Sequence, residues 1–144
     1  AIASRRQLGD LNEAIRDLDK PADLVRAQLD DGRLIGFNIA ASNNARQCLR
    51  ILTNSLEHYA ATGAGIDLRW PEIFQLVMPV PAMFVSGVAL QRALNADQSH
   101  VMAVARANSF RTARRSKPGR SGSPMFHLAD FETWLKKRLL GGRI

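Results

Sequence analysis

The sequence contains one cysteine and three histidines among its 144 residues. A single thiol, Cys48, cannot form an internal disulfide, which is typical of proteins that fold in a reducing cytosol. The histidines and the cysteine lack zinc-ligand spacing, no glycine-rich loop follows a predicted strand, and no nucleophile motif occurs. These absences predict a protein that is not an enzyme and binds neither a cofactor nor a metal.

Long apolar runs are also absent. The longest, residues 73–85, is broken by Pro79 and Pro81 and interrupted by Gln75, whereas a membrane helix needs about 20 apolar residues. Hydrophobic residues nevertheless make up 46% of the chain, which is enough for a folded core. Together with the single cysteine, this composition predicts a folded cytoplasmic protein without a membrane partner.

Acidic residues are scarce in the second part of the chain. Residues 1–84 contain nine Lys/Arg and ten Asp/Glu, a net charge of −1. Residues 85–144 contain eleven Lys/Arg and three Asp/Glu, a net charge of +8, so that the whole chain carries +7. A strongly basic segment joined to a weakly acidic one indicates that the basic segment meets a polyanion. A basic surface that is merely solvated would have the same composition.

The basic segment shows the pattern helix, turn, helix, hairpin, helix. We predict a first helix at 86–94, capped by Ser86, and a second within 97–110. Residues 111–124 form a basic stretch interrupted by glycine and proline, and a strand and an amphipathic helix follow it up to residue 140. This is the order of a winged helix-turn-helix, in which one helix enters the major groove and the hairpin contacts the backbone.

The same order is predicted in the N-terminal part, where helices at 10–18 and 22–29 precede two strands and a helix at 53–61. Adding 76 to the position places Asp10 on Ser86 and Leu34 on Phe110. After the hairpin an offset of 75 places Tyr59 on Trp134. Because capping positions coincide with capping positions and apolar positions with apolar ones, the register favours two copies of one unit. An unrelated helical N-terminal segment is the alternative.

We therefore predict a mainly α fold with small β-hairpins, made of two tandem winged helix-turn-helix units. The N-terminal unit covers residues 1–62 and the basic C-terminal unit covers residues 85–144. Residues 63–84 form an apolar connector, with a short helix that has Pro71 at its start. Two units of about 60 residues are marginal alone, so we expect the connector to pack between them or to form a dimer contact.

Three features of the C-terminal unit are shared with a known family: the helix pair 88–110, the basic hairpin 111–124, and the ending Phe126-His127-Leu128-Ala129-Asp130-Phe131-Glu132-Thr133-Trp134-Leu135. With these features the unit resembles the excisionase/MerR-like winged helix-turn-helix family. The N-terminal unit resembles it more faintly, through residues 32–34, 49–51 and 56–59. The resemblance implies double-stranded DNA as the partner. The function would be that of a bacterial or phage-encoded, nucleoid-associated transcription regulator, or of a recombination or packaging accessory of a phage or mobile element.

In such a fold, the exposed face near the start of the second helix reads base edges. We predict that Val101, Val104, Ala105 and Phe110 are buried, so that the candidates for facing DNA bases are Gln98, Ser99, His100, Met102, Ala103 and Arg106. Glutamine can make a bidentate contact to adenine and arginine to guanine. Ser99 could instead bind a phosphate, and His100 could equally be a half-buried helix residue.

Five cations are concentrated in the predicted hairpin: Arg111, Arg114, Arg115, Lys117 and Arg120. A turn that carries this charge is suited to contact the DNA backbone or the minor groove. A basic loop without a fixed target is the alternative interpretation.

The N-terminal unit is a weaker candidate for reading DNA. Its cations Lys20, Arg26, Arg33 and Arg46 could make secondary contacts to DNA or to protein, but aspartates are interspersed among them. The acidic residues favour protein contact slightly, so that this unit and the connector could form a homodimer or bind another protein. A protein-interaction adaptor that keeps the fold without binding DNA is therefore the alternative function.

Overall fold

The structure, a computed structural model, describes residues 7–42, 46–79, 82–114 and 124–141. Within these ranges the helices are α1 (Leu11–Leu18), α2 (Ala22–Asp30), α3 (Thr53–Thr62), α4 (Trp70–Val77), α5 (Gly87–Leu94), α6 (Gln98–Ala107) and α7 (Leu128–Lys137). The strands are β1 (Leu8–Gly9), β2 (Gly36–Asn38), β3 (Leu49–Leu52), β4 (Phe84–Ser86), β5 (Thr112–Arg114) and β6 (Pro124–His127). About half of the described residues are helical, and the two small antiparallel sheets make the fold mixed α/β. No described helix has the length and apolar character needed to cross a membrane.

Short polar side chains determine where several helices begin. The Asp10 carboxylate accepts a hydrogen bond from the Glu13 N–H at 2.8 Å, and the Ser86 hydroxyl accepts one from the Ala89 N–H at 3.1 Å. Both satisfy a first-turn donor that has no partner within the helix, and both confirm the predicted N-caps. At the C-terminal end of α2, Gly32 has φ +79°, a left-handed conformation that glycine adopts without steric strain.

Each sheet has three strands, with the second hairpin strand in the middle. The strand orders are β1-β3-β2 and β4-β6-β5, and all pairs are antiparallel. The hairpins β2–β3 and β5–β6 were predicted, but the edge strands β1 and β4 were not. They are two and three residues long, too short to show the alternation by which a strand is recognised in a sequence. The expectation of a mainly α fold is corrected accordingly.

The order strand, helix, helix, strand, strand, helix occurs twice, in residues 8–62 and again in residues 84–137, which we call the first and the second unit. The bounds of α1 and β2 become those of α5 and β5 when 76 is added, and the bounds of β3 and α3 become those of β6 and α7 when 75 is added. Asp19 and Asn95, which end α1 and α5, have nearly the same left-handed φ, 52° and 51°. The predicted register therefore coincides with equivalent elements, and Phe84 belongs to the second unit's sheet instead of the connector.

The larger of two hydrophobic clusters contains buried side chains from both units and from α4. The Phe37 ring of the first unit meets Trp70 edge-on, with 6.2 Å between centroids, and Trp70 stacks on Phe74 at 5.7 Å. The ring centroids of Phe74 and of Phe131, which belongs to the second unit, are in turn 6.1 Å apart. The Trp70 indole N–H donates to Glu132 Oε2 at 2.9 Å. Helix α4 therefore packs between the units, as expected for the connector.

Arg50 joins the two units by hydrogen bonds. From the central strand of the first sheet, its Nε donates to the Leu94 carbonyl and its Nη2 to the Asn95 carbonyl, both at 2.9 Å. These acceptors lie at the C-terminal end of α5, where helix carbonyls lack partners within the helix. The equivalent position of the second unit is Met125, which cannot form such a contact.

The residues after α7 return to the first unit and extend its sheet. The Asn38 N–H donates to the Arg138 carbonyl at 3.1 Å, and the Leu140 N–H donates to the Gly36 carbonyl at 2.9 Å. The Arg138 guanidinium donates to the Asn38 carbonyl at 2.6 Å. The outer edge of β2 is thereby paired and joined to the end of the second unit.

Candidate nucleic-acid interface

Helix α6 has one buried and one exposed side. Val101, Val104 and Ala105 are buried, as is Phe110 just beyond the helix, and this confirms the predicted buried side. On the opposite side a shallow surface depression is lined by Gln98, Ser99, Met102, Ala103 and Arg106, which we call the open face of α6. Met102 is half-buried, and the other four are exposed. The structure thus brings most of the predicted base-reading candidates together.

His100 is the exception. Its Nε2 lies 2.6 Å from the Ile39 carbonyl oxygen of the first unit, and because a carbonyl can only accept, this nitrogen carries the proton and donates. On the same flank of α6 the Asn108 side-chain amide donates to the Ala41 carbonyl at 3.3 Å. The segment after β2 therefore covers this flank of the helix. His100 therefore matches the alternative of a half-buried helix residue, because its ring binds within the protein and does not lie on the open face.

The first turn of α6 is already capped by a carboxylate. Asp97 Oδ1 accepts a hydrogen bond from the His100 N–H at 2.8 Å. A phosphate at this helix start would need free N–H groups of the first turn, and the His100 N–H is already occupied by Asp97. The alternative role of Ser99 as a phosphate ligand at this helix start is therefore disfavoured, and its hydroxyl stays available on the open face.

Arg111, a predicted backbone contact, forms an ion pair within the protein. Its Nη2 lies 3.0 Å from Asp130 Oδ1, its Nε donates to Oδ2 at 3.1 Å, and its backbone N–H donates to Oδ2 at 2.7 Å. The hydrogen bonds from the Arg111 side chain and backbone hold the pKa of the Asp130 carboxyl below its ordinary value. The side-chain hydrogen bonds to Asp130 and its negative charge raise the pKa of Arg111. Arg111 thus attaches the start of the hairpin to the first turn of α7, and because its side chain is 63% exposed, its predicted contact to the DNA backbone stays a prediction.

Asp130→Asn is expected to lower the free energy of unfolding at neutral pH. It should also make that free energy fall less steeply as the pH is lowered. Because the folded pKa of Asp130 is lowered, the stabilisation by its charge is present above the ordinary aspartate value of about 4 and is lost as the pH falls through the folded value. Urea unfolding at about pH 7 and about pH 3 should therefore show a difference between wild type and variant that shrinks in acid. Asp67→Asn, at an exposed loop position, is the control. An equal difference at both pH values would contradict the role of the ion pair.

Of the remaining cations of the predicted hairpin, the structure describes only the backbone of Arg114. The backbone of Arg114 pairs with Pro124, next to the pairs Ala113–Met125 and Thr112–Phe126. Phe126 is buried and therefore fastens the base of the hairpin to the core. The side chain of Arg114 and the residues Arg115, Lys117 and Arg120 lie outside the part that the structure describes, so their predicted backbone contacts stay predictions.

The structure divides the four predicted cations of the first unit into two pairs. Lys20, Arg26, Arg33 and Arg46 are all exposed. Arg26 and Arg46 line the same surface depression, together with Arg50, whereas Lys20 and Arg33 do not line it. We predicted no role for Arg50 from the sequence. The signal that could have identified it is a lone cation within an otherwise apolar strand, Leu49-Arg50-Ile51-Leu52.

We also looked for a group of metal ligands and for similar proteins. Within the described ranges, no three or more histidine, cysteine, aspartate or glutamate side chains group together as metal ligands would. No protein-family model, no curated protein and no solved structure matches the chain.

Proposed function

We propose that this protein is a sequence-specific double-stranded DNA-binding protein with two tandem winged helix-turn-helix units. The observation that carries the proposal is the open face of α6, which presents polar, basic and apolar side chains together on one exposed helix side. The base of a hairpin rich in cations follows this helix directly. A helix with such a face fits the major groove, which is about 12 Å wide, while the hairpin contacts the backbone.

The side chains of the open face are suited to different base edges. Arg106 can make a bidentate contact to guanine and Gln98 to adenine, Ser99 can bond to several bases, and Met102 can contact a thymine methyl group. Each good bidentate contact contributes about 1–3 kcal/mol of discrimination between bases. The hairpin cations bind phosphates, which supply affinity without sequence preference. Specificity and affinity are thus divided between α6 and the hairpin.

The biological setting that we propose is transcription regulation, with recombination or packaging in a phage or mobile element as the alternative setting. These roles differ in how the protein is arranged on DNA. A regulator protects a single operator, whereas an architectural accessory protects a phased array of sites. Footprinting on DNA that carries a binding site selected from random duplexes distinguishes a regulator from an architectural accessory.

Arg106→Ala is expected to relax the preference at one base position by about 1–3 kcal/mol, while affinity for random duplex changes little. The reason is that Arg106 lies on the open face, in the last turn of α6. Selection of binding sites from random duplexes, followed by fluorescence anisotropy with each single-base variant, measures the effect. Lys136→Ala, which removes an exposed cation from α7, should leave the preference unchanged. An unaltered preference in Arg106→Ala would exclude Arg106 as a base contact.

Two exposed apolar side chains favour a second candidate function, a protein-interaction adaptor or homodimer. Met83 is 73% exposed and Val88 is 53% exposed, and they lie on either side of β4. Burying such exposed apolar surface against a partner would favour association, because it removes that surface from water. Retention on heparin or on random duplex at moderate salt separates the candidates, because an adaptor that does not bind DNA would flow through both columns.

A further inference from the structure

Two surface depressions meet at Arg50, at the junction between the units. One lies on the first unit and the other on α5 and the turn before α6, and Arg50 lines both of them. We call the combined surface the junction groove. Its charged lining residues are Arg26, Arg46, Arg50, Arg92, Asp10 and Asp97.

The junction groove carries more positive than negative charge, with four arginines and two aspartates. Both aspartates are N-caps whose carboxylates accept a hydrogen bond from the first turn of their helix, Asp10 in α1 and Asp97 in α6. Their negative charge is thereby partly balanced by the positive end of the helix dipole. The arginines therefore dominate the charge of the groove.

Arg50 at the middle of the groove is held in place and keeps its charge. Its guanidinium donates to the carbonyls of Leu49, Leu94 and Asn95 and to the Cys48 sulfur at 3.5 Å. These acceptors are uncharged, so that the hydrogen bonds orient the cation without neutralising it. A preorganised cation costs less side-chain entropy when it binds an anion.

The groove also leads to the open face of α6. Its last lining residue, Asp97, immediately precedes Gln98, the first residue of the open face. A ligand that lies on the open face and continues past the start of α6 therefore reaches the edge of the groove at Asp97. A duplex is such a ligand, because its charged backbone extends on both sides of any base pairs that are read.

We infer that the junction groove binds the phosphodiester backbone of the same DNA duplex, beyond the base pairs that α6 contacts. This inference rests on the proposed function. It assigns phosphate contacts to Arg26, Arg46 and Arg92, to which Arg50 adds its positive charge at the middle of the groove, and it makes the bound DNA longer than a single helix-turn-helix half-site. Guanidinium groups suit this role, since they form charge-assisted, often bidentate hydrogen bonds to phosphate oxygens.

The test compares two double variants that remove the same charge. Arg26→Ala/Arg92→Ala takes one exposed arginine from each side of the groove, and Lys136→Ala/Lys137→Ala removes two exposed cations of α7 that do not line it. Binding of the full chain to a random duplex of about 20 base pairs, two helical turns, is followed by fluorescence anisotropy at several salt concentrations. The groove variant should flatten the slope of log K against log salt by up to about 1.8, or 0.9 for each phosphate contact. The control should retain the slope of the wild type.

Duplex length provides the second measurement. On a duplex of about 10 base pairs, one helical turn, the wild type should lose the groove contacts, so that it and the groove variant bind equally. Equal slopes for the two double variants on the longer duplex would overturn the inference while leaving the proposed function intact. A wild type that binds neither duplex would overturn both. If polyglutamate binds the wild type but not the groove variant, and DNA binding is the same in both, the groove takes an acidic protein and the inference is wrong.

Discussion

Phe37→Ala is expected to lower the free energy of unfolding by about 3–5 kcal/mol, the range for deleting a fully buried phenylalanine side chain. Phe37 lies in β2 with none of its surface exposed, and its ring contacts Trp70 of α4. Through Trp70 and Phe74 this contact continues to Phe131 in the second unit. Because the chain of aromatic contacts crosses both units, a cavity at residue 37 should destabilise the whole fold.

Urea unfolding followed by two probes tests this expectation. Tryptophan fluorescence reports on Trp70 and Trp134, which lie in α4 and the second unit, and circular dichroism reports on the helices of both units. Both transitions should move to lower urea by the same amount. Phe37→Leu, which keeps most of the apolar volume, should cost clearly less. If the fluorescence transition stays in place while part of the helical signal is lost earlier, the two units unfold independently.

Replacing Arg114, Arg115 and Arg120 together by alanine is expected to weaken binding to every duplex, whether its sequence is selected or random. If each cation neutralises one phosphate, the slope of log K against log salt becomes shallower by about 2.7, three times 0.9. The β5–β6 pairing and the Arg111–Asp130 ion pair fasten the base of the hairpin that carries these cations. The expected loss is uniform across sequences because backbone contacts carry no base information.

A salt titration of anisotropy on random duplex measures this slope. The matched control removes three exposed cations elsewhere, through alanine at Arg16, Lys136 and Lys137. The control should change the slope far less, since these residues line neither the open face of α6 nor the junction groove. A wild-type slope in the hairpin variant would show that the hairpin cations do not contact phosphates.

Features that depend on near neighbours in the chain were predictable from the sequence. The N-caps Asp10 and Ser86 bond to an amide three residues away, so that the whole interaction lies within a window that can be read directly. The buried side of α6 follows from helical periodicity, which placed Val101, Val104 and Ala105 together. The same pattern of caps and apolar positions occurs twice in the sequence, so that the offset between equivalent elements of the two units was predictable as well.

Features that depend on distant residues were not predictable in this way. His100 meets a carbonyl 61 residues away, Arg50 one 44 residues away, and Arg138 one 100 residues away. Arg111 was grouped with the hairpin cations because the sequence shows its charge but not its partner Asp130, 19 residues further on. Nothing in a local pattern indicates which of several exposed-looking polar groups will find a partner after folding.

The order of residues by itself determined where most helices and hairpins lie, which side of α6 is apolar, and where the positive charge is concentrated. Only the tertiary structure decided how individual charges are used. Arg106 stays on an open surface, Arg111 is paired with a carboxylate, and Arg50 is held at the junction of the two units. The physical reason is that hydrogen bonds and ion pairs act over a few ångströms in space, whatever the separation of their partners along the chain.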